Sequence, residues 1–300
     1  MSGPLAYLNG TLLPRADAVL PVHDAGLVFG AAVTDFCRTF RHRLFRWGDH
    51  LERFREGCRA CFIPLAVGAD ELTAAAESLV AHNARLVGPE QELALVAFAT
   101  PGAVAFYAGS PGPPTLCLHT AVLPWERYRR FFTHGVSLAV VGAHPAAADD
   151  LAPPAVKHRS RLHWWRADHL ARARTPPADL ALLADGAGAV TETSVGNLLV
   201  ARGGVVHSPP PGQVLEGVSL RVVEELCADL GIGFVRRRLA LDDCTAADEV
   251  LLSGSAFCLA GVSRIDGRGV PWPGQVTQRL LAAWGERVGL DVAGQFLAGR

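Results

Sequence analysis

Lysine is nearly missing from this chain: of its 28 lysine and arginine residues, only Lys157 is lysine. Strong charge of one sign is missing too, since the formal net charge is -1 and the isoelectric point about 6.8. A nucleic-acid or anionic-membrane surface needs an excess of positive charge, so neither partner is expected. No apolar run reaches the roughly 20 residues that a membrane-spanning helix requires. The start, Met1-Ser2-Gly3-Pro4-Leu5, lacks a basic segment followed by an apolar one, and no secretory signal is read there. The seven cysteines are odd in number and irregular in spacing, which predicts a reducing, cytoplasmic setting over a disulfide framework. A G-x-x-x-x-G-K-[ST] phosphate loop is excluded by the position of the single lysine, and no G-x-S-x-G elbow occurs. Cys58-Arg59-Ala60-Cys61 sits alone in a helical stretch, so buried thiols are expected there and no metal site. What is present suffices for a full core: 300 residues, 50% hydrophobic and 19% charged, predict one large domain or two packed lobes.

A lone lysine among arginines calls for an amine at that position. Arginine stays protonated and cannot act as a nitrogen nucleophile, whereas a lysine near other cations can lose its proton. Lys157 has such neighbours in Lys157-His158-Arg159-Ser160-Arg161. Schiff-base chemistry, with pyridoxal phosphate or a carbonyl substrate, is the functional reading; a residual surface lysine is the competing one.

The pattern along the chain is α+β. Tyr7-Leu8 and Leu12-Leu13 flank Asn9-Gly10, a hairpin signal. Residues 33–40 and 44–47 read as a second hairpin, and Asp49 is expected to cap a helix running to about Phe62. Asp70 opens another helix to about Leu86, and residues 92–100 and 115–122 are strand-like around the turn-rich 108–114. This makes a small lobe over residues 1–122. Leu123-Pro124-Trp125 marks a crossing, with a linker over 123–130 and a larger lobe over 131–300. There, strands are expected at 136–141, 180–184, 195–201, 205–206, 234–235 and 249–252. A loop covers 146–154, and helices cover 163–172, 219–230 and 275–288. Arg236-Arg237-Arg238 reads as a solvated or interlobe strand. No repeat of 20 to 50 residues is found.

Two further features suit a phosphorylated, ring-bearing cofactor. Gly217-Val218-Ser219 opens a helix, where free N–H groups and the positive dipole end favour phosphate, and Ser253-Gly254-Ser255 follows a strand with more donors. A pyridine electron sink also needs its nitrogen protonated, for which Glu192 in Val190-Thr191-Glu192-Thr193-Ser194 is the candidate; the spacing alone leaves it equally a surface acid.

These residues, in this order, resemble the class IV aminotransferases, pyridoxal-phosphate enzymes that include D-amino-acid aminotransferase, branched-chain aminotransferase and aminodeoxychorismate lyase. The likeness spans Tyr7-Leu8-Asn9-Gly10, Asp24-Ala25-Gly26-Leu27-Val28-Phe29-Gly30, His50-Leu51-Glu52-Arg53, Lys157, the segment from Val190 to Asn197, Glu216-Gly217-Val218-Ser219, and Ser253-Gly254-Ser255-Ala256. It implies the two-lobe D-amino-acid aminotransferase-like fold, with 131–300 as the cofactor-binding lobe. It implies a homodimer whose partner loops help close the site. By the same resemblance Lys157 is the Schiff-base lysine, Glu192 meets the pyridine nitrogen, and Arg53, Val218, Ser219 and Ser255 hold the phosphate. The substrates are then a small amino donor and a 2-oxo acid, with Thr34, Arg38 and Ala256 as substrate-binding candidates. Two departures bear on the substrate. Thr100-Pro101-Gly102 stands where D-amino-acid enzymes carry a carboxylate-binding arginine, and Thr34 stands where a tyrosine or phenylalanine is usual. Arg38 matches an arginine of branched-chain members, so a carboxylate contact and an interlobe ion pair both stand. Lys157-His158-Arg159-Ser160-Arg161-Leu162 is similar to the Lys-x-x-Asn-Arg-Leu run of the lyases, which keeps 4-amino-4-deoxychorismate lyase, releasing pyruvate, as the alternative to transamination.

Overall fold

In the computed structural model, which describes residues 3–143 and 154–298, Asn9 and Gly10 both take positive φ, 49° and 92°. Their turn, matched to the twist of paired strands, joins β1 (Leu5–Leu8) to β2 (Thr11–Pro14) in an antiparallel hairpin. The chain divides into two compact units, one of Met1–Leu123 with Val156–Arg161, the other of Pro124–Ala155 with Leu162–Arg300. Lys157 therefore belongs to the first unit, which corrects its expected place in a lobe spanning 131–300.

The first unit continues with α1 (Ala25–Val28), β3 (Val33–Phe40), β4 (Arg43–Leu44), α2 (Trp47–Ala60), α3 (Ala69–Ala84), β5 (Leu93–Thr100), α4 (Ala105–Ala108) and β6 (Thr115–Val122). Its sheet runs β2-β1-β6-β5-β3-β4 with antiparallel pairing throughout. Helix α2 buries Trp47, His50, Leu51, Phe54 and Cys58, spaced three and four apart, and α3 buries Leu72, Ala76, Leu79 and Val80. These stripes share one core with Cys37, Leu93, Leu95 and Leu118, where each large side chain contributes about 1.5–3 kcal/mol. Asn83 ties α3 to the sheet, accepting from Leu5 N at 2.8 Å and donating to Leu5 O at 3.0 Å and Thr120 Oγ1 at 2.8 Å. Asp49 lies inside α2, whose N-cap is Arg46 in the left-handed region, so the expected capping by Asp49 gives way to an ion pair with Arg46.

The second unit holds α5 (Trp125–Thr133), β7 (Val136–Ala143), α6 (Leu162–Arg172), β8 (Leu180–Ala184), β9 (Ala189–Thr193), β10 (Asn197–Arg202) and β11 (Val205–Ser208). It goes on through α7 (Val218–Asp229), β12 (Gly233–Arg236), β13 (Leu239–Ala240), α8 (Leu241–Thr245), β14 (Glu249–Gly254), β15 (Cys258–Ile265), β16 (Arg268–Gly269), α9 (Gln275–Val288) and α10 (Val292–Ala298). Residues 125–130, expected as linker, are thus the first turns of a helix, and the expected loop at 146–154 lies, apart from Pro154, outside the described residues. The sheet order is β12-β11-β10-β14-β15-β7-β8-β9-β13, with an extra pairing of β9 with β10 through Glu192 and Asn197. That pair closes β10, β14, β15, β7, β8 and β9 into a ring. Arg237 and Arg238 pair with Asp243 and Asp185, so the arginine run is held by local carboxylates.

Glu249, at the start of β14, receives Val276 N at 2.7 Å, Thr277 N at 2.9 Å and Thr277 Oγ1 at 2.8 Å, taking up donors that the first turn of α9 leaves unpaired. Glu249→Ala is expected to lower the unfolding free energy by about 2–3 kcal/mol, because buried N–H groups lose a charged acceptor. Denaturant unfolding of the variant checks this, and a midpoint equal to that of the unsubstituted chain refutes it.

Candidate active site

The residues singled out in the sequence fall into two groups, Thr34, Arg38, Arg53 and Lys157 in the first unit and Glu192, Val218, Ser219, Ser255 and Ala256 in the second.

In the first unit the centre is a residue that sequence reasoning missed. Asp35 is 1% exposed within the largely buried strand β3. Arg53, on α2, grips it with both edges of its fork, Nε to Oδ2 and Nη2 to Oδ1, each at 2.9 Å. His50, one turn earlier on α2 and 2% exposed, lies with Nδ1 2.7 Å from Asp35 Oδ1. Burial pulls the His50 imidazole below its ordinary pKa, and the nearby Arg53 and Lys157 charges add to that. The ring is therefore neutral and Nδ1 is the donor to Asp35. Burial works against the Asp35 carboxylate, yet Arg53, His50 and Lys157 together outweigh it and hold the group well below the usual carboxylate range. Helical spacing puts His50 and Arg53 on one face of α2, where both reach the same carboxylate; residues 33–40 read in sequence only as a hairpin strand, which said nothing of an acid facing that helix.

Lys157 is half-buried beside the start of β3. Its carbonyl accepts Thr34 N at 2.8 Å, Arg159 N donates to Ala32 O at 2.8 Å, and Val33 and His158 form the bridge between these bonds. Thr34 is buried, its hydroxyl donating to Ala97 O at 2.8 Å and accepting Arg159 Nε at 3.3 Å. Arg38 is 2% exposed, with Nε on Thr39 O at 3.1 Å and its guanidinium 3.9 Å from the centre of the Phe40 ring.

In the second unit the group converges on Asn197. It pairs in register with Glu192 on one side and Ser253 on the other, so three strands present these residues at one level. Asn197 Nδ2 donates to Leu215 O at 2.8 Å and Glu192 Oε2 at 3.3 Å, and Leu215 N donates to the same Glu192 oxygen at 3.2 Å. Gly217, the N-cap of α7, lies so close that a Cβ there would be 2.2 Å from Asn197 Oδ1. Gly196 is equally confined, a Cβ falling 2.3 Å from Ser253 O. Val218 and Ser219 form the buried first turn of α7; Ser255 and Ala256 form the turn between β14 and β15. Ser253 Oγ is buried and has no hydrogen-bond partner among the described residues. Among those residues no set of histidine, cysteine or acidic side chains is placed to hold a metal, and no helix is long and apolar enough to cross a membrane.

The Asp35 cluster gives stability a defined pH dependence. Asp35 has a depressed pKa in the fold, so its contribution is full above the ordinary value of 3.8 and is lost as pH falls below it. His50 is also depressed, so its contribution is full above 6.5 and is lost as pH drops through that value. Both make acid destabilising. Asp35→Asn is expected to cost about 3–5 kcal/mol at neutral pH, because Arg53 loses its buried counter-charge. His50→Gln should flatten the decline in stability below 6.5. Urea unfolding across that range tests both, and acid limbs that match the unsubstituted chain would sink the assignment.

Comparison with known proteins adds a family to this geometry. The chain is 26% identical over 288 residues to the branched-chain-amino-acid aminotransferase of Salmonella typhimurium LT2, covering 93% of this chain and 91% of that protein. It is 23% identical over 285 residues to the D-alanine aminotransferase of Staphylococcus epidermidis RP62A, covering 88% and 90% respectively. Its fold matches the crystal structure of Escherichia coli branched-chain amino acid aminotransferase with a TM-score of 0.84 at 22% identity, over 95% of this chain and 94% of that one. The T.th. branched-chain amino acid aminotransferase, complexed with N-(5'-phosphopyridoxyl)-L-glutamate, matches with a TM-score of 0.79 at 23% identity, over 98% and 96%. The model of the amino-transferase class IV family spans residues 32–265, more than half of the sequence, and the chain belongs to that family.

Proposed function

We propose that this chain is a pyridoxal-phosphate-dependent transaminase, moving an amino group between an amino acid or primary amine and a 2-oxo acid, with Lys157 as the residue that bonds to the cofactor. The observation that carries the reading is the environment of the only lysine. Its charge is felt by a buried Asp35 that also fixes Arg53, so one carboxylate stands against two cations where a phosphorylated aldehyde would need both an amine and an anion site. The second unit fits the same cofactor. A buried Ser253 hydroxyl lacks a partner among the described residues, and the first-turn N–H groups of α7 lack intrahelical acceptors. Glycines 196 and 217 let the surrounding backbone approach where any side chain would collide.

Arg53, the N–H groups at Val218 and Ser219, the Ser219 hydroxyl and the Ser255 turn would hold the phosphate. Glu192, oriented by Asn197 Nδ2 and Leu215 N, would accept the proton-bearing ring nitrogen. When bound, the cofactor supplies an aldehyde that exchanges amines and a cationic ring that takes up electron density from the donor's Cα. Lys157 would supply the amine that bonds to that aldehyde and, once freed, would be the base and acid that moves the proton at the donor's Cα. Asp35 keeps Arg53 in place throughout. The lyase alternative receives no observation of its own from the relatives or the geometry.

A homodimer is the assembly we infer. Val22, Leu27, Phe29, Phe106 and Tyr107 are exposed, and their segments are joined by the Asp24–Ala103 bridge and the 2.9 Å bond from Val104 N to His23 O. Such a group of large apolar side chains is a surface that asks for cover. A cytoplasmic setting is supported by seven free cysteines.

Two outcomes are expected. Borohydride reduction in the presence of pyridoxal phosphate should label the peptide containing residue 157, and Lys157→Ala should abolish both label and transamination; a label elsewhere, or turnover by the variant, rejects Lys157. Phe29→Asp combined with Phe106→Asp should shift sedimentation from dimer to monomer, and an unchanged coefficient rejects this face as the interface.

A further inference from the structure

Arg159 is a cation with no anion beside it among the described residues. Its Nε donates to Thr34 Oγ1 at 3.3 Å, and its guanidinium lies 4.4 Å from the centre of the buried Phe98 ring. Thr34 and Phe98 face each other in register on β3 and β5, so the aromatic face and the hydroxyl belong to one patch of sheet. The Thr34 hydroxyl donates its proton to Ala97 O, which leaves its lone pairs for the arginine. Of the five guanidinium donors one is taken, and the four on Nη1 and Nη2 have no acceptor among the described residues. Arg159 is exposed overall, so its outer edge opens to solvent while Thr34 and Phe98 beneath it are buried, and its charge helps keep His119 neutral. An arginine pinned at Nε and stacked on a ring is ordered before any ligand arrives, with the bidentate edge left open.

Position matters as much as chemistry. Lys157 and Arg159 flank the His158 bridge to β3, so strand alternation sends both side chains to the side opposite His158. The Arg159 bond to Thr34 agrees with that direction. An amine-handling group and an open guanidinium fork thus project from the same short segment, two residues apart. Pro101 offers no cation for a carboxylate, and Arg38 is buried with its Nε on the backbone.

We propose that Arg159 is the carboxylate-recognising residue of this enzyme: its Nη1 and Nη2 edge binds the α-carboxylate of the amino acid and 2-oxo acid whose nitrogen chemistry takes place at Lys157. The inference rests on the Lys157 reading above and deepens it, since it makes α-amino acids and 2-oxo acids, and not carboxylate-free amines, the substrate class. Thr34 is the positioning residue that aims the fork, and Phe98 is its platform.

The test uses the cofactor-loaded protein and 4-methylvalerate, an unreactive carboxylate, with binding followed by calorimetry. Arg159→Gln is expected to weaken its binding by about 10- to 100-fold, as loss of a charge-assisted pair does. The KM for pyruvate should rise by a similar factor with kcat changed less than about threefold, while borohydride labelling of residue 157 stays complete. Thr34→Val, which removes only the hydroxyl that fixes Nε, should weaken 4-methylvalerate about threefold and serves if Arg159→Gln does not fold. Affinity within twofold of the unsubstituted protein in a labelled Arg159→Gln variant, or in a labelled Thr34→Val variant when that alone folds, overturns the role of Arg159. Absence of the label in the unsubstituted protein instead overturns the Lys157 reading, and this inference falls with it.

Discussion

A single buried carboxylate, Asp35, organises the first unit's chemistry. Taking it out of water is unfavourable, and the protein offsets that by surrounding it with Arg53, a neutral His50 and the charge of Lys157. The arrangement constrains more than one residue. Arg53 cannot swing away without abandoning its counter-ion, His50 is fixed in one tautomer, and α2 is locked to β3 through polar bonds as well as through Phe54 and Leu51. The position of Arg53, the proposed phosphate ligand, is therefore maintained by groups that also stabilise the fold.

The second unit has a counterpart in Asn197, where register does the organising. Because Glu192 and Ser253 are its neighbours on adjacent strands, and because Gly217 starts α7 against its side chain, one residue sets the level of an acid, a serine turn and a helix N-terminus. The Glu192–Asn197 pairing also closes the strand ring.

Much of this was legible where local physics dominates. The hairpin at Asn9-Gly10 follows from residues tolerant of positive φ, and the helix over 275–288 follows from its apolar period. The family motifs pointed to Lys157, Arg53, Glu192, Ser219 and Ser255, but they could not show the partners, since Asp35 is only one polar residue of a hairpin strand until α2 folds over it. Strand β9 was hidden because Val190-Thr191-Glu192 mixes polar and apolar residues without strict alternation, and its pairing is non-local. The expected boundary failed at residues 156–161 for a similar reason: this short piece gains two backbone bonds from Ala32 and Thr34, around the start of β3 and more than a hundred residues away, a dependence no window of sequence can display. In sequence Arg159 reads only as a neighbour of the lysine, because the ring that supports it, Phe98, comes from another strand.

The scarcity of lysine has a practical side. Acylating dyes, bifunctional esters and resin aldehydes find one side-chain amine in the whole polypeptide, and it is the one beside Asp35. Conjugation through side-chain amines would fall on the residue proposed to bond the cofactor, whereas Cys61, expected to be buried with Cys58 but exposed at the end of α2, offers an attachment point of different reactivity.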